Sequence, residues 1–305
     1  MKKWQVSLNN DSFDRAGITK DCKDAVCEYI WNGFESGASK VSVSLHGTPL
    51  KEPLSLVISD NGSGISYDKL SDTFGAFLSS IKNNTTIRIK SQANKGKGRF
   101  SYLSFSHAAE WQTIYRSGDM LKQYSIRTDA SDRSQFNTTE PQMTTRKETG
   151  TVVIFPLSDA NSSEQLSYAN MRQKLLEEFA WFLYLNKEKA YPLEYMGTVL
   201  EISQYINTDL SKSISRKISN HDFDISIIVW KSNVSNSSKI YYLTENGEIA
   251  ATQNTSFNKN KVNFYHAVFV SSAYFKPNMF LPSDQDSGQT ELETDSQSEQ
   301  KTIIR

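Results

Sequence analysis

Apolar and polar positions divide the chain into helix-like and strand-like stretches. Residues 18–38 carry Val26, Tyr29, Ile30 and Phe34 on one helical stripe, and Gly37 supplies a stop. Val41, Val43 and Leu45 then alternate with Ser42 and Ser44, the two-residue period of a half-buried strand. After a turn, Leu54–Ser59 reads as a second strand, ending in the turn-forming run Asp60-Asn61-Gly62-Ser63-Gly64. A short helix is predicted over Tyr67–Phe77, then a polar, mobile loop over 79–98, then a helix over Arg99–His107. Strands are predicted at Ala109–Tyr115, Leu121–Thr128 and Thr151–Phe155, followed by a long amphipathic helix over Ser163–Leu185. Beyond Pro192 strands dominate: Thr198–Tyr205, Asp224–Trp230, Lys239–Leu243 and Phe264–Phe275, with a hairpin signal at Glu245-Asn246-Gly247.

This change of texture predicts a first domain over 1–191, a smaller strand-rich domain over 192–282 and a tail over 283–305. The tail has six acidic residues against Lys301 and Arg305 and few apolar ones, a composition that reads as disordered. The length of 305 residues agrees with two domains of roughly 150 residues each.

Composition narrows the function classes. Thirty-four basic residues balance thirty-four acidic ones, which disfavours a constitutively basic nucleic-acid or membrane-surface protein. No apolar run approaches the roughly 20 residues of a membrane span. The start, Met1–Phe13, lacks the apolar core of a secretory signal, so a cytoplasmic protein is expected. Cys22 and Cys27, five apart on one helix, face different ways and read as buried thiols rather than a disulfide or zinc pair. The four histidines are scattered without metal-binding spacing, so catalysis by a protein-ligated metal is not expected.

Four segments carry candidate chemistry. Asp24, Glu28, Asn32 and Glu35, at steps of four, four and three, share a polar stripe on the first helix. The pattern fits an ordinary solvated face, or a carboxylate that takes a proton from water beside an amide that ligates magnesium. Asp60, at the mouth of a strand and followed by Gly62 and Gly64, suits hydrogen bonding to the exocyclic amine of a planar heterocycle. Lys95-Gly96-Lys97-Gly98-Arg99-Phe100-Ser101 leads into a helix, an arrangement that presents backbone N–H groups to phosphate. Between Lys82 and Arg99 stand six basic residues and no acidic one, which also suits a nucleic-acid contact loop. Neither a P-loop nor a GxGxxG fingerprint occurs. Glu148-Thr149-Gly150-Thr151 opens a strand and by itself is only a turn.

In this order the four segments resemble the signature of the GHKL (Bergerat-fold) ATPases, the superfamily of DNA gyrase B, HtpG-type chaperones, MutL, MORC proteins and sensor histidine kinases. Glu28 through Ser39 resembles the ExxxN box, with Glu35 where an Asp is usual. Asp60 through Ile65 is similar to the DxGxG box, Gly96 through Ser101 to the second glycine box, and Gly150-Thr151 to the third motif. The resemblance spans about residues 18–157. It implies an α+β fold: a two-layer sandwich with a mixed, mostly antiparallel sheet covered by helices on one face.

By family roles, Glu28 is implied as the general base and Asn32 as the Mg2+ ligand by way of the ATP phosphates. Asp60 would bind adenine with help from Thr151, and Gly62 and Gly64 would shape the adenine pocket. Lys82, Gly96, Lys97, Gly98, Arg99 and Phe100 are implied at the ATP phosphates, within a lid over 79–98. The implied activity is ATP hydrolysis with lid closure and ATP-driven homodimerisation. The histidine-kinase branch is disfavoured, because no histidine stands on a segment before the first helix.

The family's second domain, of S5-like fold, delivers a basic residue to the γ-phosphate. No residue here matches it clearly, and Lys261 and Lys276 are the candidates. Small MutL-like or MORC-like proteins act with an effector protein or nucleic acid, in DNA maintenance or defence against phage. The alternative is a nucleic-acid clamp that holds ATP as a structural ligand.

Overall fold

The computed structural model describes residues 19–47, 54–74, 98–158, 160–189, 191–234, 238–259 and 264–276. Lys82, Gly96, Lys97, Lys261, most of the expected lid and the acidic tail lie outside them. The described chain divides into two units that meet between Glu201 and Ile202.

The first helix, α1 (Cys22–Glu35), starts where the Asp21 carboxylate accepts hydrogen bonds from the amides of Lys23 (2.7 Å) and Asp24 (3.2 Å). It ends at Ser36, followed by Gly37 in the left-handed region (φ 83°). Ala25, Val26, Cys27, Ile30, Trp31 and Phe34 are all buried, so α1 is a core element rather than a surface helix. Both cysteines are buried free thiols. On one side Tyr29 packs on Phe155, with ring centroids 4.6 Å apart. On the other, Trp31 packs on Phe179 (4.8 Å) and Phe182 (5.2 Å) and donates from Nε1 to Glu178 Oε1 at 2.7 Å.

Strands β1 (Val41–His46), β2 (Ser55–Asp60), β3 (Ala108–Ser117), β4 (Met120–Asp129), β5 (Asp132–Thr138), β6 (Gln142–Met143), β7 (Gly150–Pro156), β8 (Leu193–Tyr195) and β9 (Thr198–Val199) form one sheet. Its order is β5-β4-β3-β7-β2-β1-β8-β9, with β6 beside β4; every pairing is antiparallel except β1 with β8. Alternation fixes the buried face. Val41 and Val43, Leu56 and Ile58, Trp111 and Thr113, and Val153 and Phe155 face inward, while Glu110, Gln112 and Gln123 lie on the opposite face. The helical layer on the inner face is α1, α2 (Leu70–Thr73), α3 (Ala160–Gln165) and α4 (Tyr168–Leu185). The unit is thus the expected two-layer α+β sandwich.

Four local expectations change. The stretch read as one helix over 163–185 is broken at Leu166–Ser167, where Leu166 is fully buried and Ser167 is extended (ψ 153°). The predicted helix after Gly98 is a 3-10 turn over Gly98–Ser104. Thr198–Tyr205 is a two-residue strand followed by a 3-10 turn. The boundary placed near residue 191 falls too early for the first unit: β8 adds to β1 of its sheet and β9 to β8.

The second unit is a sheet of five strands: β10 (Lys212–Ile218), β11 (His221–Val229), β12 (Lys239–Leu243), β13 (Ile249–Asn254) and β14 (His266–Ser271). Their order is β10-β11-β14-β12-β13, parallel only between β12 and β14. Phe223, Tyr242, Ala250 and Phe275 centre its core. The first hairpin turns at Ser219 and Asn220, both with positive φ (47° and 67°), as a two-residue loop with the right twist requires.

Candidate functional site

The expected site residues within the described chain lie along one flank of α1, at the ends of β2 and β7, and at Gly98. Glu28 is only 9% exposed, so the polar stripe is not a solvated face. Asp24, at its start, is tied into the fold by an ion pair with Lys174 of α4.

Gly98 stands against the middle of the stripe. A Cβ there would lie 3.4 Å from Glu28 Oε2 and 3.9 Å from Asn32 Nδ2. Gly98 of the second glycine box therefore faces the acid–amide pair at van der Waals distance. The following residues are held from below: the Tyr29 hydroxyl donates to the Arg99 carbonyl at 2.9 Å, and Ser101 Oγ donates to the Gly98 carbonyl at 2.6 Å. Phe100 is buried and packs at a tilt against Phe136, with ring centroids 5.6 Å apart. The Arg99 guanidinium lies over the rings of Phe100 (5.3 Å) and Phe74 (5.8 Å). Burial lowers its pKa to about 10, which leaves it charged at neutral pH in a poorly solvated place.

One turn along α1 from Asn32, the helix meets Asp60. Gly33 makes this approach possible: a Cβ on it would fall 2.9 Å from Val41 Cγ2 and 3.1 Å from Asp60 Cβ. Asp60 Oδ1 accepts from the Gly62 amide (2.8 Å) and from Ser36 Oγ (3.3 Å). The same Ser36 hydroxyl reaches the Gly33 carbonyl at 2.7 Å, so one proton is shared between two acceptors. Gly62 is pressed against this serine, since a Cβ there would sit 1.8 Å from Ser36 Oγ. Gly64 adopts a positive φ of 71° with its Cβ position 2.0 Å from the Ile114 carbonyl oxygen. No side chain fits there.

Thr151 sits opposite Asp60 in the β2–β7 register. Its Oγ1 lies 3.3 Å from Thr113 Oγ1, and Thr113 Oγ1 also accepts from the Ile65 amide at 2.8 Å. Hydroxyls of β3 and β7 and the loop after Asp60 thus form one hydrogen-bonded group. A cavity of about 860 Å3 borders Asp60, Asn61, Gly150 and Thr151 and extends along the outer sheet face past Gln112 and Gln123. Glu28 and Asn32 do not line it.

Sequence reasoning gave Gly33, Ser36 and Thr113 no role of their own and placed Tyr29 only on the apolar stripe. Gly33 and Ser36 lie inside the first box and show their roles only once Asp60 is beside them. Thr113, on a strand far along the chain, carries no local signal.

A buried acid and an amide on a core helix thus face a glycine that opens a 3-10 turn, with an aspartate at the end of the neighbouring sheet. Residues 20–154 match the family described as histidine kinase-, DNA gyrase B-, and HSP90-like ATPase. This segment is similar to that family, which lies in the GHKL superfamily. Among solved structures, the chain is similar to a substituted form of the ATPase domain of Aquifex aeolicus MutL, at 14% identity, covering 83% of this chain and 89% of that one, with a TM-score of 0.43. No curated protein matches the sequence.

Proposed function

We propose that the chain binds ATP at α1 and Asp60 and hydrolyses it. The observation that carries this reading is the place of Gly98 against Glu28 and Asn32, where a backbone without a side chain faces a carboxylate and an amide. In this reading Glu28 polarises the attacking water, and its burial keeps competing water away. Asp60 Oδ1 is already engaged by Gly62 and Ser36, which fixes the carboxylate plane for an adenine amine. Thr151, across the strand pair, adds a hydroxyl at the same end. Gly62 and Gly64 shape the floor.

The backbone around Gly98 and the Arg99 cation suit phosphate oxygens. Lys82, Gly96 and Lys97 complete the phosphate side in this proposal, and Phe100 contributes by packing. Residues 79–98 act as the lid.

The donor set suits magnesium through the Asn32 amide oxygen, a hard ligand, while Nδ2 is the Asn32 atom nearest Gly98. When bound with the nucleotide, Mg2+ supplies charge neutralisation at the phosphates. The chain's own contribution is positioning and exclusion of water.

As in the family, ATP occupancy is proposed to close the lid and favour a homodimer, with an effector protein or nucleic acid as partner in DNA maintenance or phage defence. The second unit would act as a transducer of S5-like kind, with Lys261 or Lys276 as its cation.

Phosphate release from ATP tests the chemistry. Wild type should turn over ATP, and Glu28→Gln should lower the rate about 10²–10⁴-fold with ATP affinity little changed. Equal rates would remove Glu28 as the base. No turnover by wild type, with ATP still bound and nucleic acid retained, would favour the clamp reading.

A further inference from the structure

Alternation puts one residue from each of four neighbouring strands in a single row on the inner face of the first unit's sheet. Asp60 of β2 is opposite Thr151 of β7, Thr151 is opposite Thr113 of β3, and Thr113 is opposite Tyr124 of β4. The next inward row, Ile58, Val153, Trp111 and Ile126, is wholly apolar, as a core face requires. Every member of the first row carries oxygen, and Thr151, Thr113 and Tyr124 are buried nonetheless. A buried hydroxyl costs stability unless it is hydrogen-bonded, so the partners of this row show what it is for.

Two of the hydroxyls hold one residue. The Ile65 amide donates to Thr113 Oγ1 at 2.8 Å, and the Tyr124 hydroxyl donates to the Ile65 carbonyl at 3.0 Å. A single cross-strand pair therefore grips both backbone polar groups of Ile65. Thr113 Oγ1 also has the Gly150 carbonyl and Thr151 Oγ1 at 3.3 Å, which ties the grip back to the strand opposite Asp60. The Tyr124 ring is fixed edge-on by Tyr67 (5.1 Å) and Tyr115 (5.7 Å). Burial, reinforced by Tyr115 and Tyr67, pushes its phenol well above the ordinary range, so the hydroxyl keeps its proton and stays a donor.

Ile65 closes the loop that Asp60 opens. The near half of that loop is tied to the end of α1 and the residues after it: Asn61 Oδ1 accepts from the Ser39 and Lys40 amides, each at 2.9 Å, and the Ser63 amide donates to the Ser36 carbonyl at 2.9 Å. The far half rests on the sheet, where Gly64 lies against the Ile114 carbonyl and Ile65 is held by Thr113 and Tyr124. Pinned at both ends, the six residues from Asp60 to Ile65 cannot tilt as a body.

We propose that Thr113 and Tyr124 are positioning residues that set the preference for adenine over guanine, acting through the Ile65 clamp on Asp60. The inference rests on the ATP reading above and extends it to two strands that reading does not use. An adenine offers an exocyclic amine to the Asp60 carboxylate, whereas a guanine presents a carbonyl oxygen at the same place. A carboxylate that can turn with its loop tolerates both bases; one that is held still accepts the amine and repels the oxygen. Neither Thr113 nor Tyr124 has to touch the base for this.

Titration of the full chain with ATP, GTP and tripolyphosphate, each with Mg2+, provides the test. Tyr124→Phe keeps the packed ring and deletes the hydroxyl; it should weaken ATP binding about tenfold and leave GTP and tripolyphosphate within about twofold of wild type. Thr113→Val should act in the same direction, and Thr113→Ser, which returns the hydroxyl, should restore ATP affinity. Without any nucleotide, the Gly62, Ser63 and Ile65 amides should exchange roughly tenfold faster in Tyr124→Phe. Unchanged ATP affinity, equal weakening of all three ligands, or unchanged exchange of those amides would overturn the inference while leaving the ATP reading in place. No binding of ATP by wild type would overturn the ATP reading and the inference with it.

Discussion

At the residue scale, the site depends on atoms that are absent as much as on those present. Gly33, Gly62, Gly64 and Gly98 each leave a place where a methyl group would meet a neighbour, and three of those neighbours are Asp60, Ser36 and Glu28. The sequence made the acids and glycines conspicuous, but their meaning depends on proximity. Glu28 could have faced solvent, and its burial follows from α1 being enclosed on several sides, which a stripe of polar residues does not disclose. Ser36 is the clearest case of a hidden residue, because its partner stands 24 positions away. Its hydroxyl orients Asp60, so Ser36→Ala should weaken ATP binding modestly, by up to about tenfold, corresponding to one net hydrogen bond. Calorimetric titration of ATP into this variant checks the point. An unchanged affinity would mean that Gly62 alone sets the carboxylate.

At the element scale, α1 is held between the sheet and α4, and both contacts are legible as apolar positions but not as a two-sided pattern. Periodicity found Val26, Ile30 and Phe34, whereas Trp31, on the flank facing α4, became interpretable only with Phe179 and Phe182 beside it. Edge strands were the main omission. β10, where Ser213 and Ser215 alternate with Lys212, Ile214 and Arg216, has no buried residue from Lys212 to Lys217 and so lacks the apolar alternation that marks a half-buried strand.

The Asp24–Lys174 pair joining α1 to α4 predicts a pH dependence. Burial alone would lower the Lys174 ammonium, but the hydrogen bond and charge of Asp24 outweigh it and hold its pKa above the ordinary value of 10.5. A raised folded-state value means that the contribution to stability is complete below the ordinary lysine range and is lost as pH rises through the shifted value. The stability difference between wild type and Lys174→Met should be constant around neutral pH and shrink above about pH 10.5. Chemical denaturation across that range measures it, and a difference that grows with alkalinity would reverse the sign.

At the scale of the whole molecule, the order of the four sequence boxes was legible because they fall on the second half of α1, the end of β2, the 3-10 turn at Gly98 and the start of β7, each a short local pattern. The end of the first unit was not, since β8 and β9 follow a proline and look like the beginning of something new. If ATP occupancy is converted into assembly, a non-hydrolysable ATP analogue should shift the protein from monomer to dimer in a sizing experiment. An unchanged elution volume at saturating analogue would separate nucleotide binding from dimerisation. The most direct test of the central claim is calorimetric titration of ATP into wild type and Asp60→Asn. Saturable one-to-one binding by wild type that Asp60→Asn abolishes or weakens at least roughly tenfold is the predicted result. Equal affinity in the two proteins, or no binding by wild type, would contradict it.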